Sequence, residues 1–131
     1  MTPSGSLRHA SAGSEAENAA PYGAMGDSTL VLLVVGRDER AIEVLHRRYS
    51  HACASLALKL LRDDETAREV VQDAFLRVWL AGGSYDSGRG PFLPWLLGIT
   101  YRRAVDALRV RRRQQSFSLE EWGGRRRAGG T

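Results

Sequence analysis

The chain has 131 residues, 43% of them hydrophobic, with 19 Lys/Arg against 15 Asp/Glu for a formal charge of +4. That length holds one domain with one modest core, and a single cysteine, Cys53, excludes an intramolecular disulfide and a cysteine-based zinc site. No apolar run approaches the ~20 residues of a membrane span, and no basic-then-apolar leader opens the chain, so a soluble cytoplasmic protein is expected.

Residues 1–26 are rich in Ser, Gly, Ala and Pro without an apolar period, and are expected to form a disordered tail. Asp27-Ser28 offers a cap for a short helix through Val35, ended by Gly36. The run Leu30 to Val35 has the propensity of a buried strand, but no second strand candidate exists to pair with it, so a helix is expected. Asp38 opens the next helix, in which Ile42, Leu45, Tyr49, Ala52, Cys53, Leu56 and Leu60 recur as one apolar stripe. Arg62-Asp63-Asp64 interrupts that pattern and supplies an N-cap for a third helix. There Ala67, Val70, Val71, Ala74, Phe75, Val78 and Trp79 form a second stripe, stopped by Gly82-Gly83. A loop follows through Pro91. A first-turn proline, Pro94, then opens a helix to about Arg113 whose stripe reads Leu97, Tyr101, Ala104 and Leu108. The expected architecture is a compact all-α domain over 27–113, with a linker or tail over 114–131 and no internal repeat.

The helix of 64–80 turns Arg68, Glu69, Gln72, Asp73 and Arg77 outward. Glu69, Gln72 and Asp73 lie three and four residues apart and so share a face. Two carboxylates with an amide between them can dock on arginines of a partner helix. The bland alternative is a solvated face, which is the commoner fate of such charges. Like charges at this spacing cost a little stability, which weighs slightly against that alternative.

Charge is divided unevenly along the chain. Residues 1–88 carry nine Lys/Arg against twelve Asp/Glu, net −3, and residues 89–131 carry ten against three, net +7. Basic charge gathered at one end is the footprint of a polyanion partner. Within the helix of 94–113, Arg102, Arg103, Arg109, Arg111, Arg112 and Arg113 make a basic face. Arginines that meet phosphate release counterions, so binding through them weakens steeply with salt. The aromatics of this region, Tyr85, Phe92, Trp95 and Tyr101, can stack on unpaired bases, with Arg89 close to them in the sequence. Phe92 reads as core, and Trp95 as either core or surface. Arg125 to Arg127, in a Gly-rich setting, read as a solvated basic tail.

Catalytic constellations are missing from the sequence. His46 and His51 are five apart and so on different faces of a helix, and His9 lies in the tail. No phosphate-binding glycine loop leads into a helix, and Asp63-Asp64-Glu65 lacks the second cluster of a carboxylate metal site. The chain is expected to be a non-enzyme without metal or cofactor.

Three stretches carry a family resemblance: Gly36 to Tyr49, the run Glu69-Val-Val-Gln-Asp-Ala-Phe-Leu-Arg-Val-Trp79, and Phe92-Leu-Pro-Trp-Leu-Leu-Gly-Ile99 with Asp106-Ala-Leu-Arg109. Together they resemble region 2 of extracytoplasmic-function (ECF) sigma factors, over about 27–113, in order and at the family's spacing. The resemblance implies a helical domain that docks on the β′ clamp helices of core RNA polymerase and reads and opens the promoter −10 element. By motif position, Glu69, Gln72 and Asp73 match the family's polymerase-binding face. Trp95 falls in the strand-opening segment, Arg102 at the upstream end of the −10 element, and the loop of 82–91 where a flipped base is captured. Tyr85, Arg89, Arg103, Arg109 and Arg112 complete the expected DNA contacts. The resemblance also admits an anti-sigma factor as a partner. Two departures stand out. Tyr101-Arg102 replaces a common Arg-Asn, so promoter preference does not carry over. The family's second domain, which reads the −35 element, has no counterpart here, so the chain is either a piece of a longer factor or a short one relying on region 2. An adaptor that binds a partner without reading DNA is the alternative from another class.

Overall fold

Helix α1 (Asp27–Val35), α2 (Glu39–Leu61), α3 (Asp64–Ala81) and α4 (Phe92–Gly130) follow one another, with short 3₁₀ turns at Gly82–Ser84 and Ser87–Arg89. The computed structural model describes the backbone of residues 21–130 and the side chains of residues 21–121, and among them there is no strand. The tail expected over residues 1–20, with His9, and the side chains of Arg125 to Arg127 lie outside the described residues.

Local chemistry sets most boundaries as expected. The Asp38 carboxylate accepts from the backbone N–H of Arg40 at 2.9 Å and of Ala41 at 3.2 Å, and so starts α2. Asp63 starts α3, accepting from the Thr66 N–H at 3.2 Å and from the Thr66 hydroxyl. Each such cap contributes about 1 kcal/mol. Arg62, at φ 55°, ends α2 in the left-handed region, so the two helices reverse direction within two residues.

At α1 the expected cap differs. Gly26 is the N-cap, and Asp27 lies inside the first turn. Its carboxylate turns sideways instead, to Arg48 Nη1 at 2.8 Å and to the Tyr49 hydroxyl. A half-buried, charge-assisted pair is stronger than one exposed N–H bond, which explains the choice. Residues 21–26 also depart from the expected disorder. Residues 21–23 are helical, the Tyr22 hydroxyl donates to Asp38 at 2.7 Å, and Arg48 Nη2 donates to the carbonyls of Gly23 at 3.0 Å and Met25 at 2.7 Å.

The core has two parts. One joins Leu30 and Val34 of α1 to Leu45, Val78, Phe92 and Leu96, all fully buried. Burying each of the larger side chains stabilises the fold by about 1.5–3 kcal/mol. The other joins Ala57, Leu61, Ala67, Val70 and Ala104, where three alanines let α2, α3 and α4 approach closely. Arg111 closes that end: its Nη1 donates to the Leu61 carbonyl at 2.9 Å and its Nη2 lies 3.7 Å from Asp63. Expected on the basic face, Arg111 is instead a fold residue, because its side chain reaches back to an orphan carbonyl at the end of α2.

Two expectations about α4 are corrected. Its inward face is Phe92, Leu96, Ile99, Thr100 and Ala104, while Tyr101 is 51% exposed. The helix starts two residues before Pro94, which brings Phe92 and Leu96 inward. Thr100 is tolerated in the core because its hydroxyl donates to the Leu96 carbonyl at 3.0 Å. Past Arg113 the chain stays helical through the segment expected to be a linker. Residues 106–121 contain no Gly or Pro, so a helix nucleated on the core propagates outward. The missing apolar period there reports absent packing, not absent helix: Phe117 and Leu119 are each 68% exposed.

Candidate functional site

Helix α3 buries the face its period dictates, with Val70, Val71, Ala74, Phe75 and Val78 inside and Trp79 half-buried. Glu69, Gln72 and Asp73 are accordingly exposed, on the opposite side. Among the described residues, no ion pair engages either carboxylate. The same strip continues through Leu76, 53% exposed, and Leu80, 63% exposed. Both were missed in the sequence, although their places four and eight residues after Gln72 were the available signal. Acidic at one end and apolar at the other, the strip suits a partner helix with basic and apolar positions.

The second region begins where α3 ends. Tyr85, Phe92 and Trp95 form an aromatic cluster, with ring centroids 5.4 Å apart for Tyr85 and Phe92, 5.3 Å for Tyr85 and Trp95, and 5.7 Å for Phe92 and Trp95. Phe92 is the buried base of the cluster; Tyr85 and Trp95 are half-buried and partly face out. The Tyr85 hydroxyl donates to the Gly90 carbonyl at 2.8 Å, which fixes the ring. Gly90 has φ +152°, a conformation open to glycine rather than to other residues. These constraints hold open a cleft of ≈ 660 Å³ whose lining includes Tyr85, Asp86, Arg89, Pro94 and Trp95. Asp86 accepts from the Gly88 N–H at 2.9 Å and lies 3.9 Å from Arg89, whose side chain is largely exposed. Burial first, then the charges of Asp27 and Asp86, pushes the Tyr85 phenol up, so it stays protonated and serves as a ring and a donor.

From this cleft the basic strip runs along α4. Trp95, Arg102, Arg109 and Arg112 are seven, seven and three residues apart, which places them along one outward face. All three arginines are exposed. Arg103 is exposed too, but turned by about 100° from Arg102. The structure therefore gathers Tyr85, Arg89 and Trp95 at the cleft and aligns three arginines beyond it, with Arg103 to one side. A buried thiol, Cys53, is pushed up by burial and takes no part. Among the described residues no group of three His, Cys, Asp or Glu stands where it could hold a metal ion, and no helix is long and apolar enough to cross a membrane.

An acidic-apolar strip on one helix and an aromatic cleft leading to arginines on another suit two macromolecular partners. Residues 45–114 match the family model for sigma-70 region 2. An ECF RNA polymerase sigma factor SigK of Mycobacterium sp. (strain KMS) is 38% identical over 80 residues, covering 61% of this chain and 42% of that protein. The SigK of Mycobacterium ulcerans (strain Agy99) is 34% identical over 93 residues, covering 69% of this chain and 49% of its own length. The chain thus spans less than half the length of these curated relatives.

Proposed function

The chain belongs to the sigma-70 region 2 family, and from that membership we propose that it joins core RNA polymerase to promoter DNA and helps open the −10 element. The observation that carries this reading is the presence, in one helical fold, of an exposed Glu69–Gln72–Asp73 strip and a separate aromatic-basic surface. In this reading the α3 strip, extended by Leu76 and Leu80, docks on the β′ clamp helices. A base leaves the duplex and enters the cleft that Tyr85 and Trp95 line. Unstacking it costs a few kcal/mol, and stacking on an aromatic ring returns ~1–3 kcal/mol. Trp95 props the strands apart, Arg102 reads the upstream end of the element, and Arg89, Arg103, Arg109 and Arg112 neutralise phosphates. The protein acts by binding alone, without a cofactor, in the cytoplasm where polymerase works. An anti-sigma factor that covers either surface would silence it.

Titration of the chain against an isolated β′ clamp-helix fragment tests the reading. Specific binding is expected, with Gln72→Ala weakening it and Glu69→Arg weakening it further while helix content is unchanged. A folded sample that does not bind the fragment would overturn the sigma reading in favour of an adaptor with another partner.

A further inference from the structure

Between Phe92 and Arg113, helix α4 contains one glycine, Gly98. A glycine inside a helix lowers stability relative to alanine, because the unfolded chain gains freedom that folding must remove. Such a position needs a reason, and the fold offers none. A Cβ placed on Gly98 meets nothing within 4 Å beyond its own helix and chain neighbours. Gly82 is the contrast: there a Cβ would touch Val31 at 3.6 Å and Val35 at 3.8 Å. Nor does the backbone demand glycine, since Gly90 is the positive-φ glycine among the described residues.

What distinguishes Gly98 is its place. It lies three residues after Trp95 and four before Arg102, so it sits on the outward strip between the cleft and the first arginine. Trp95 and Arg102 are about 10 Å apart along the helix axis. A ligand that occupies the cleft and also reaches Arg102 must cross residue 98, and there the missing side chain bares the helix backbone. Glycine is the residue used where a backbone must approach a ligand closely.

We propose that Gly98 is the point of close approach for the sugar–phosphate backbone of a single DNA strand, one base of which sits in the cleft lined by Tyr85 and Trp95 while a neighbouring nucleotide meets Arg102. The inference rests on the DNA-binding part of the proposed function and adds the path that the strand takes. A side chain at 98 lifts the strand, so that the cleft and Arg102 can no longer be engaged together.

The test uses the full chain, a fluorescein-labelled 12-mer of randomised single-stranded DNA at low salt, and the variants Gly98→Ala, Gly98→Leu and Arg102→Ala. Gly98→Ala is expected to raise the Tm by about 2–6 °C, as removal of an internal helix glycine should. It is also expected to raise the Kd by about 5-fold or more, with Gly98→Leu raising it further. A higher Tm together with an unchanged or lower Kd would overturn the close approach. Tight wild-type binding weakened by Arg102→Ala but indifferent to residue 98 defeats this inference and leaves the DNA reading standing. A wild-type chain that does not bind, or that binds with no response to Arg102→Ala, defeats both.

Discussion

The guanidinium of Arg37 lies over the indole of Trp79, 5.1 Å from the ring centroid, and its Nη1 donates to the Trp79 carbonyl at 2.6 Å. One side chain thus ties the α1–α2 connection to the last turn of α3, beside the exposed Leu76 and Leu80. It does so from an unfavourable backbone, with φ at +71°.

That geometry sets two substitutions against each other. Arg37→Ala loses a cation–π contact and a hydrogen bond, together about 1–2 kcal/mol. Arg37→Gly loses the same contacts but relieves a left-handed conformation that costs other residues about 1 kcal/mol. Urea denaturation should therefore find Arg37→Gly no less stable than Arg37→Ala, against the usual order. A clearly less stable glycine variant would mean that residue 37 leaves the left-handed region in solution.

Stability should fall at both ends of the pH scale for identifiable reasons. The Tyr22 hydroxyl, followed by the backbone N–H groups of Ala41 and Arg40, holds the Asp38 carboxyl below the usual carboxylate range. The Thr66 hydroxyl and N–H do the same to Asp63. A depressed carboxylate contributes stability that is present above the unfolded value of about 4 and is lost as the pH falls through the lower folded value. Tyr22→Phe should flatten that acid limb, measured as chemical-denaturation midpoints against pH. At the other end, burial and then the bond to Asp27 push Tyr49 up to about 12. A raised tyrosine contributes stability that is complete below about 10 and is lost as the pH rises through its folded value. Spectrophotometric titration should lose its latest tyrosine transition in Tyr49→Phe.

Neighbouring arginines should separate by role. Arg111→Ala removes the bond to the Leu61 carbonyl and the Asp63 contact, and should lower stability by about 1 kcal/mol. Arg112 is exposed, so Arg112→Ala should leave the thermal transition in place and reduce the salt slope of DNA binding by about one. Equal effects of both substitutions on the salt slope would put Arg111 on DNA after all.

Arg102→Ala should change base preference at one position of the −10 element, by about 1–3 kcal/mol for a bidentate contact. Binding a panel of single-base variants in the presence of core polymerase distinguishes the outcomes. A uniform loss across the panel would make Arg102 a phosphate contact.

What the sequence could tell was local. The caps at Asp38 and Asp63 act within three residues of themselves, and the α3 face follows from one clean period, so both were legible, and with them the all-α class and the exposed Glu69, Gln72 and Asp73. Long-range polar contacts were not. Arg48 reaches Met25 across 23 positions, and Arg111 reaches Leu61 across 50, and neither leaves a mark on its own neighbourhood. The inward face of α4 was displaced in the sequence reading because Thr100 counts as polar until its hydroxyl finds the Leu96 carbonyl. Helix beyond Arg113 was hidden for another reason: an apolar period records what packs, and Phe117 and Leu119 in that stretch are exposed.

The hold of Arg48 on residues 22–27 also decides where this domain can be cut. Composition invites a boundary at Asp27, but a fragment starting there would strip the carbonyls of Tyr22, Gly23 and Met25 from a half-buried guanidinium and leave it Asp27 alone. It would also remove the hydroxyl that Tyr22 lends to Asp38. The smallest fragment that keeps the parent melting behaviour should therefore begin no later than Tyr22, within the stretch whose composition looks dispensable.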